Sequence, residues 1–406
     1  MATIKANVVC VTSSGGLPIF SRKIGDGDPL PFSTVGSLNG VHLFGKSKEL
    51  ILKSAESEHY NVIWEEYDDS IILVCVAPKT GVDLAREVIE KIYHAIIMFV
   101  GDAQIRNLKN VEPFKKMVRR AYPVIDCIME CFDLENNEMN PSMLGLVETT
   151  MCRESKTLKV AMDAFVDTIG THHGFLTIEG CVAVATDGWW SISPIEKQIL
   201  SLIIRTKSNC TSFDVPIYLP YTCPKTPLRF VSVCLISSIR VNALCGSLPD
   251  LGSITQKSYQ CWSPIIKTLK YAVLTFPRSL ATSEFHDSVQ GFLLVNLPVG
   301  KCLMCASLKT TKKKCKSSSE KLVTFYHHAS KVFTRKDPTH QPLETYWVAE
   351  YHKLHSLKED DNVICILYHA GVPTSSMRYV TRQTLNLILS QGEQEWNHAH
   401  LRRETT

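Results

Sequence analysis

Two repeat lengths alternate along the first 133 residues, one of two positions and one close to 3.6. Val8 to Thr12 is a short β-branched run, Ser13-Ser14-Gly15-Gly16 carries turn chemistry, and Leu17 to Arg22 is apolar again, which predicts a hairpin. A loop with Gly25, Gly27, Pro29 and Pro31 follows. Residues 32–45 (FSTVGSLNGVHLFG) are apolar without alternation and predict a glycine-rich helix. Strands are predicted over 49–54, 59–67 and 70–77. In the second of these, Tyr60, Val62 and Trp64 share one face, as in a half-buried strand. IILVCVA is apolar on both faces, which marks a central strand, and Pro78 ends it. Thr80 and Asp83 have capping-box spacing. Ala85, Val88, Ile89, Ile92, Ile96, Phe99 and Val100 then form one stripe at helical spacing, with Gly101 as its stop. Another amphipathic helix is predicted over 111–131.

The same order returns twice. GFLTIEGCVAVAT (174–186) predicts a second hairpin, followed by a helix near 193–206, strands near 215–219, 229–236 and 239–245, and a helix near 255–276. VQGFLLVNLPVGKCLMCAS (289–307) predicts a third hairpin, then a helix near 318–335, strands near 343–351 and 362–369, and a helix near 376–390. Three passes of one topology, about 130 residues apart, predict a tandem of three α/β modules. Residues 134–153 (with LENNEMNPSMLG) are polar enough for a linker. A helix over 154–169 has no counterpart in the other two passes.

Composition narrows the class. The 406 residues are 45% hydrophobic and 21% charged, with a formal net charge of +4, which excludes a disordered or collagen-like chain. So small a net charge leaves any nucleic-acid or membrane contact to a local patch. The 15 cysteines are scattered through apolar runs, as expected of buried thiols in a reducing cytoplasm rather than a disulfide framework. The opening MATIKANVVCVTSS does not read as a secretory leader, and no uncharged apolar stretch of about 18 residues is present.

Few motifs carry chemistry. Gly40 to Ser47 (GVHLFGKS) matches the phosphate-loop pattern G-x-x-x-x-G-K-[ST]. That loop works only between a strand and a helix; FSTVGSLN before it is no strand, ELILKSAE after it reads as one, and no acidic magnesium partner is at hand, so a P-loop nucleotide-binding enzyme is the weaker alternative. Cys302 and Cys305 have the spacing of half a zinc site but sit in an apolar strand, where i and i+3 point to opposite sides. His172-His173 and His327-His328 belong to no catalytic or metal signature, so neither a catalytic residue nor a metal or cofactor is expected. Asp187-Gly188-Trp189-Trp190 is a turn with two aromatics, suited to a core or a partner contact. Residues 301–336 hold ten basic residues and one acid, Glu320. Their centre, with Lys309, Lys312, Lys313, Lys314 and Lys316, reads as a mobile basic loop suited to an anionic membrane.

LPFSTVGSLNGVHLFG at 30–45, together with VTSSGGLPIFSR before it, YNVIWEEYDDSIILVCVA after it and VATDGWW further on, resembles the Fuzzy-like planar-cell-polarity effectors. The resemblance implies an α+β fold of three tandem longin-type domains, each a five-stranded antiparallel sheet flanked by helices. On the module pattern these fall at 1–133, 154–278 and 285–406, with the linker at 134–153. It implies a heterodimer with an Inturned-type longin protein, inside a ciliogenesis and planar polarity assembly that also holds a WD-repeat subunit. It further implies a Rab-like small GTPase as client, with guanine-nucleotide exchange in view, phosphoinositide binding, and support of intraflagellar transport at the basal body. No nucleic-acid partner is implied. The helix after the first hairpin would supply the surface for partner and GTPase, through Phe32, Val35, Ser37, Asn39, His42 and Phe44. A phosphoinositide-binding trafficking adaptor without exchange activity is the remaining alternative.

Overall fold

A computed structural model describes residues 4–26, 28–78, 82–132, 145–236, 238–275, 284–308, 312–333, 342–391 and 396. The chain divides into two compact units. The first holds Met1–Asn140, Ile199–Lys207 and Pro216–Leu228; the second holds Pro141–Gln198, Ser208–Val215 and Arg229–Thr406.

In the first unit, β1 (Ile4–Thr12) and β2 (Pro18–Gly25) pair antiparallel as the turn chemistry predicts. The helix α1 (Phe32–Ser47), β3 (Ser54–Glu56), β4 (Tyr60–Tyr67) and β5 (Ile71–Pro78) follow. The five strands lie in the order β2-β1-β5-β4-β3. Asp68 and Asp69 join β4 to β5 at φ of 50° and 49°. Two successive left-handed residues match the right-handed twist of the flanking strands. Then come α2 (Val82–Val100), α3 (Asp102–Arg106), α4 (Val111–Val118) and α5 (Tyr122–Met129).

Sheet pairing shows which face each helix covers. Val9, Val11, Trp64, Ile72 and Val74 share one face and pack under α1 with Val35 and Leu38. Glu65 points to the other face, where it meets Arg86 of α2 at 3.0 Å, and Tyr67 stacks on Tyr93 of α2 at 3.7 Å. The strand predicted over 49–54 is shortened and displaced to Ser54–Glu56. Lys48 and Leu50 both donate their backbone N–H to Gly45 O at 2.9 Å, so these residues close the end of α1 instead of pairing. The helix predicted over 111–131 is broken into α4, a 3₁₀ turn (Arg119–Ala121) and α5, because Pro123 lacks an N–H and opens a new helix. Thr80 lies outside the described residues, so its capping role is undescribed.

The chain continues with β6 (Val147–Glu148) and α6 (Ser155–Ile169), then β7 (Gly174–Ile178), β8 (Cys181–Ala185), α7 (Asp187–Ser191) and α8 (Pro194–Thr206). The β9 (Ser212–Leu219), β10 (Cys223–Ile236) and β11 (Ile239–Cys245) strands complete a sheet in the order β8-β7-β11-β10-β9. Two helices follow, α9 (Leu251–Trp262) and α10 (Ile266–Thr275), separated at Pro264 where one helix was predicted. The unassigned helix 154–169 finds its place here. Leu158, Met162, Phe165, Val166 and Ile169 of α6 share one core with Ile254, Trp262 and Leu269 over the β7–β11 sheet.

The last stretch holds β12 (Val289–Asn296), β13 (Lys301–Cys305), α11 (Lys312–Phe333), β14 (Glu344–Val348), β15 (His352–Glu359), β16 (Asn362–His369) and α12 (Thr374–Gln391). The strand predicted near 343–351 is β14, and β15, which was not predicted, follows after a turn in which Ala349 N donates to His352 O at 3.0 Å. The sheet order is β14-β15-β16-β12-β13-β6, so this sheet has six strands rather than five. The sixth comes from the predicted linker. Val147 N donates to Gly300 O (3.0 Å), Thr149 N to Cys302 O (2.7 Å) and Thr150 N to Val182 O (2.9 Å). Four residues thus lie between β13 and β8 and satisfy part of each edge. All described cysteines are free thiols. Among the described residues no helix is long and apolar enough to cross a membrane.

Candidate partner-docking surface

The helix α1 inverts the usual pattern. Its buried positions are Val35, Asn39 and His42, while Phe32 is 73% exposed and Phe44 66% exposed. Phe32, Gly36, Gly40 and Phe44 recur every four residues and lie on one outward row. A Cβ added at Gly36 or Gly40 would meet nothing within 4 Å. The row is therefore a saddle, shallow at the glycines and raised at a phenylalanine on either end. Val41 flanks it, and Leu50 and Ile51 stay exposed just past the helix, Ile51 at 82%. The edge strand β3 is exposed at all three residues.

The inner face is fixed to the sheet. Trp64 Nε1 donates to Leu38 O at 3.2 Å. Asn39 packs against the first hairpin turn so closely that a Cβ on Gly16 would collide with its Nδ2; Gly16 is also at a φ of +62°, which favours glycine. His42 Nε2 lies 3.4 Å from Glu66 Oε2, and Lys46 Nζ donates to Glu66 Oε1 at 2.7 Å and to Asp69 Oδ1 at 3.3 Å. Burial by itself would raise the Glu66 carboxyl, but the bond from Lys46, with His42 beside it, holds it below the usual range. The same bond from Glu66 raises Lys46. Asn39 Oδ1 and His42 Nδ1 are buried without a hydrogen-bond partner.

The six residues predicted for one partner surface therefore divide. Phe32, Ser37 and Phe44 are on the outer face, Ser37 Oγ donating to Ser33 O at 3.0 Å. Val35, Asn39 and His42 face the chain's own sheet. Sequence reasoning passed over Val41, Leu50 and Ile51, which extend the outer face; a solitary apolar residue beside a helix end carries no signal of its exposure. The phosphate-loop match is helical throughout, so its N–H groups are engaged along α1 rather than turned inward, and Ser47 Oγ donates to Phe44 O. Cys302 and Cys305 lie in β13 opposite Val295 and Phe292. Among the described residues no three metal-ligating side chains gather at one point. Trp189 is core, stacked 3.7 Å from Phe175, and Trp190 is buried beside it in α7. Lys309 lies outside the described residues. Lys312, Lys313, Lys314 and Lys316 occupy the first turns of α11, where a loop was predicted, and their side chains lie outside the described ones.

Three sheets, antiparallel except for the short parallel strand β6, each flanked by helices, define a chain of longin modules. Family models agree: the first longin domain of FUZ, MON1 and HPS1 matches residues 6–128, the second 169–263 and the third 288–392. The human Protein fuzzy homolog is 32% identical over 305 residues, which is 73% of this chain and 72% of that protein. The Xenopus tropicalis Protein fuzzy homolog is 28% identical over 410 residues, 93% of this chain and 96% of that protein. This chain belongs to the Fuzzy family of planar cell polarity effectors, built from three longin domains.

Proposed function

We propose that this chain is one half of a heterodimer with an Inturned-type longin protein, and that the pair captures a Rab-like small GTPase during cilium formation and planar polarity signalling. The observation that carries this reading is the outer face of α1. Exposed aromatics around a glycine saddle are costly to leave in water and well suited to seat a partner's backbone. Membership in a family of longin proteins supports a longin partner, since longin sheets have open edges that another sheet can extend. The working modules in this reading are 1–133, 154–278 and 285–406. A WD-repeat subunit joins the pair, which supports intraflagellar transport assembly at the basal body, and the basic start of α11 meets phosphoinositides there. Exchange needs no covalent chemistry; the pair favours the nucleotide-free GTPase by binding it more tightly than the loaded form.

The test is co-purification of the full chain with an Inturned-type partner, followed by release of labelled GDP from Rab-like GTPases. Phe44→Asp is expected to abolish formation of the pair or capture of the GTPase while the chain stays folded. Undiminished pairing and capture would place the docking surface elsewhere.

A further inference from the structure

In the first unit, cations gather on α4 and on the 3₁₀ turn that follows it. From residue 109 to residue 120 there are five basic residues, Lys109, Lys115, Lys116, Arg119 and Arg120, and one acid, Glu112. That local excess equals the formal net charge of the whole chain, +4, so the rest of the chain is neutral on balance. Phe114 and Val118 anchor the inner side of α4 in the core, which turns Lys116, Arg119 and Arg120 outward. Lys109, Lys116, Arg119 and Arg120 are all exposed, and among the described residues none of these four forms an ion pair. Glu112 is taken by Lys115 at 2.8 Å.

Glu112 reports the local field: the bond from Lys115 holds its carboxyl below the usual range, and the charges of Arg119 and Lys116 pull the same way. The field is a stripe rather than a broad face. The adjoining elements carry carboxylates, Asp102 on α3 and Asp126 on α5, each paired with an arginine of its own, Arg106 and Arg22. Among the described residues of 102–132 no large apolar side chain is exposed, so nothing there enters a bilayer. A membrane presses on a broad face and would meet those carboxylates, whereas an extended chain lies along a stripe. Together α4 and its 3₁₀ turn are about 18 Å long, the length of about five extended residues. Lys116 and Arg120 are one helical turn apart, about 6 Å, close to the roughly 6.6 Å between alternate side chains of an extended peptide.

We propose that this stripe binds an acidic segment of a partner protein, an extended peptide whose alternate carboxylates lie along Lys116, Arg119 and Arg120. Carboxylates accept charge-assisted hydrogen bonds from ammonium and guanidinium groups, and two neighbouring arginines offer planar forks for them. The α4 helix packs on α2, which covers the face of the first sheet opposite α1. The stripe is therefore separate from the docking surface on α1, and either can fail without the other.

The experiment is fluorescence anisotropy of a labelled peptide of alternating glutamate and serine, titrated with the full chain at about 50 mM salt, where charges are only partly screened. Saturable binding is expected, with none for the matching peptide of lysine and serine. Lys116→Glu combined with Arg119→Glu and Arg120→Glu is expected to weaken it at least tenfold with the melting temperature unchanged. The same reversal of charge at three exposed lysines elsewhere, Lys225→Glu with Lys267→Glu and Lys270→Glu, is expected to leave it within threefold. An equal loss in this second variant shows a response to net charge alone and overturns the proposal. No saturable binding of the acidic peptide by the unmodified chain also overturns it, whether or not the first variant folds. Sedimentation with phosphatidylserine vesicles that the first variant abolishes, without peptide binding, assigns the stripe to a membrane instead.

Discussion

Replacing Gly36 and Gly40 with alanine separates the two demands on α1. Each glycine sits in a helix interior and faces open space. In that setting alanine is favoured by about 0.5–1 kcal/mol through backbone entropy alone. The double variant is expected to be more stable by about 1–2 kcal/mol. For a unit of 150–250 residues that corresponds to a melting temperature higher by roughly 2–8 °C. The same two methyls fill the saddle between Phe32 and Phe44. If a partner's backbone seats against the glycines, it is pushed outward and loses contact with both rings. Capture of an Inturned-type partner is then expected to weaken at least tenfold, about 1.4 kcal/mol. The assay is thermal unfolding of the chain alone beside co-purification at graded partner concentration. A lower melting temperature refutes the open outer face, and unaltered capture by the stabilised variant refutes docking at the saddle.

The two sides of the helix should also part under single substitutions. Phe44→Ser is expected to change stability by no more than about 0.5 kcal/mol, whereas His42→Ala is expected to cost about 1–3 kcal/mol in urea unfolding, because it opens a buried space and removes a partner of Glu66. Glu66 titrates below its usual 4.5, so its contribution is complete above that value and disappears as pH falls through the folded one; Glu66→Gln should flatten this part of the acid limb. Lys197 works in the opposite sense. Burial lowers its ammonium from 10.5 to about 7, so between about 7 and the thiol range near 9 the unfolded chain binds the extra proton. Stability should rise with pH across that window by up to about 1.4 kcal/mol per unit, and Lys197→Met should remove the slope in melting curves at pH 7, 8 and 8.5. A slope unchanged by Lys197→Met would show that another group titrates there.

Much of this fold was legible because strands and turns obey local rules. Turn residues and the period of two located all three hairpins, and the stripe of α2 needed no tertiary knowledge. Errors cluster where a neighbour decides. β6 is two residues long, and nothing in Val147-Glu148 says that it is held between Gly300 and Val182. Pro123 and Pro264 broke helices that periodicity carried through. In α1 the sequence located the helix but not its orientation. Polar Asn39 and His42 lie inside because Gly16 makes room for one and Glu66 faces the other, while two phenylalanines lie outside. Apolar-inside reasoning assigns those faces the wrong way round. Lys301 was counted with a solvated basic stretch, and only the positions of Trp190 and Trp396 reveal it as a buried cation.

The connector also bears on how a partner binds. Residues 147–150 bond to Gly300 and Cys302 on the β13 side and to Val182 of β8, so these positions are already engaged from within the chain. In the first unit the edge beside α1 is β3, with three residues. Pairing along so short a strand adds on the order of three backbone hydrogen bonds, about 2–4 kcal/mol in net terms. A nanomolar heterodimer requires about 12 kcal/mol, after the cost of immobilising both chains. The shortfall must come from apolar burial. Phe32, Val41, Phe44, Leu50 and Ile51 are all exposed, and fully burying such side chains is worth about 1.5–3 kcal/mol each. Together they supply up to about 8–15 kcal/mol, a larger contribution than the strand. If the proposed partner docks here, side chains on and just beyond α1 would contribute more to its affinity than strand pairing along β3.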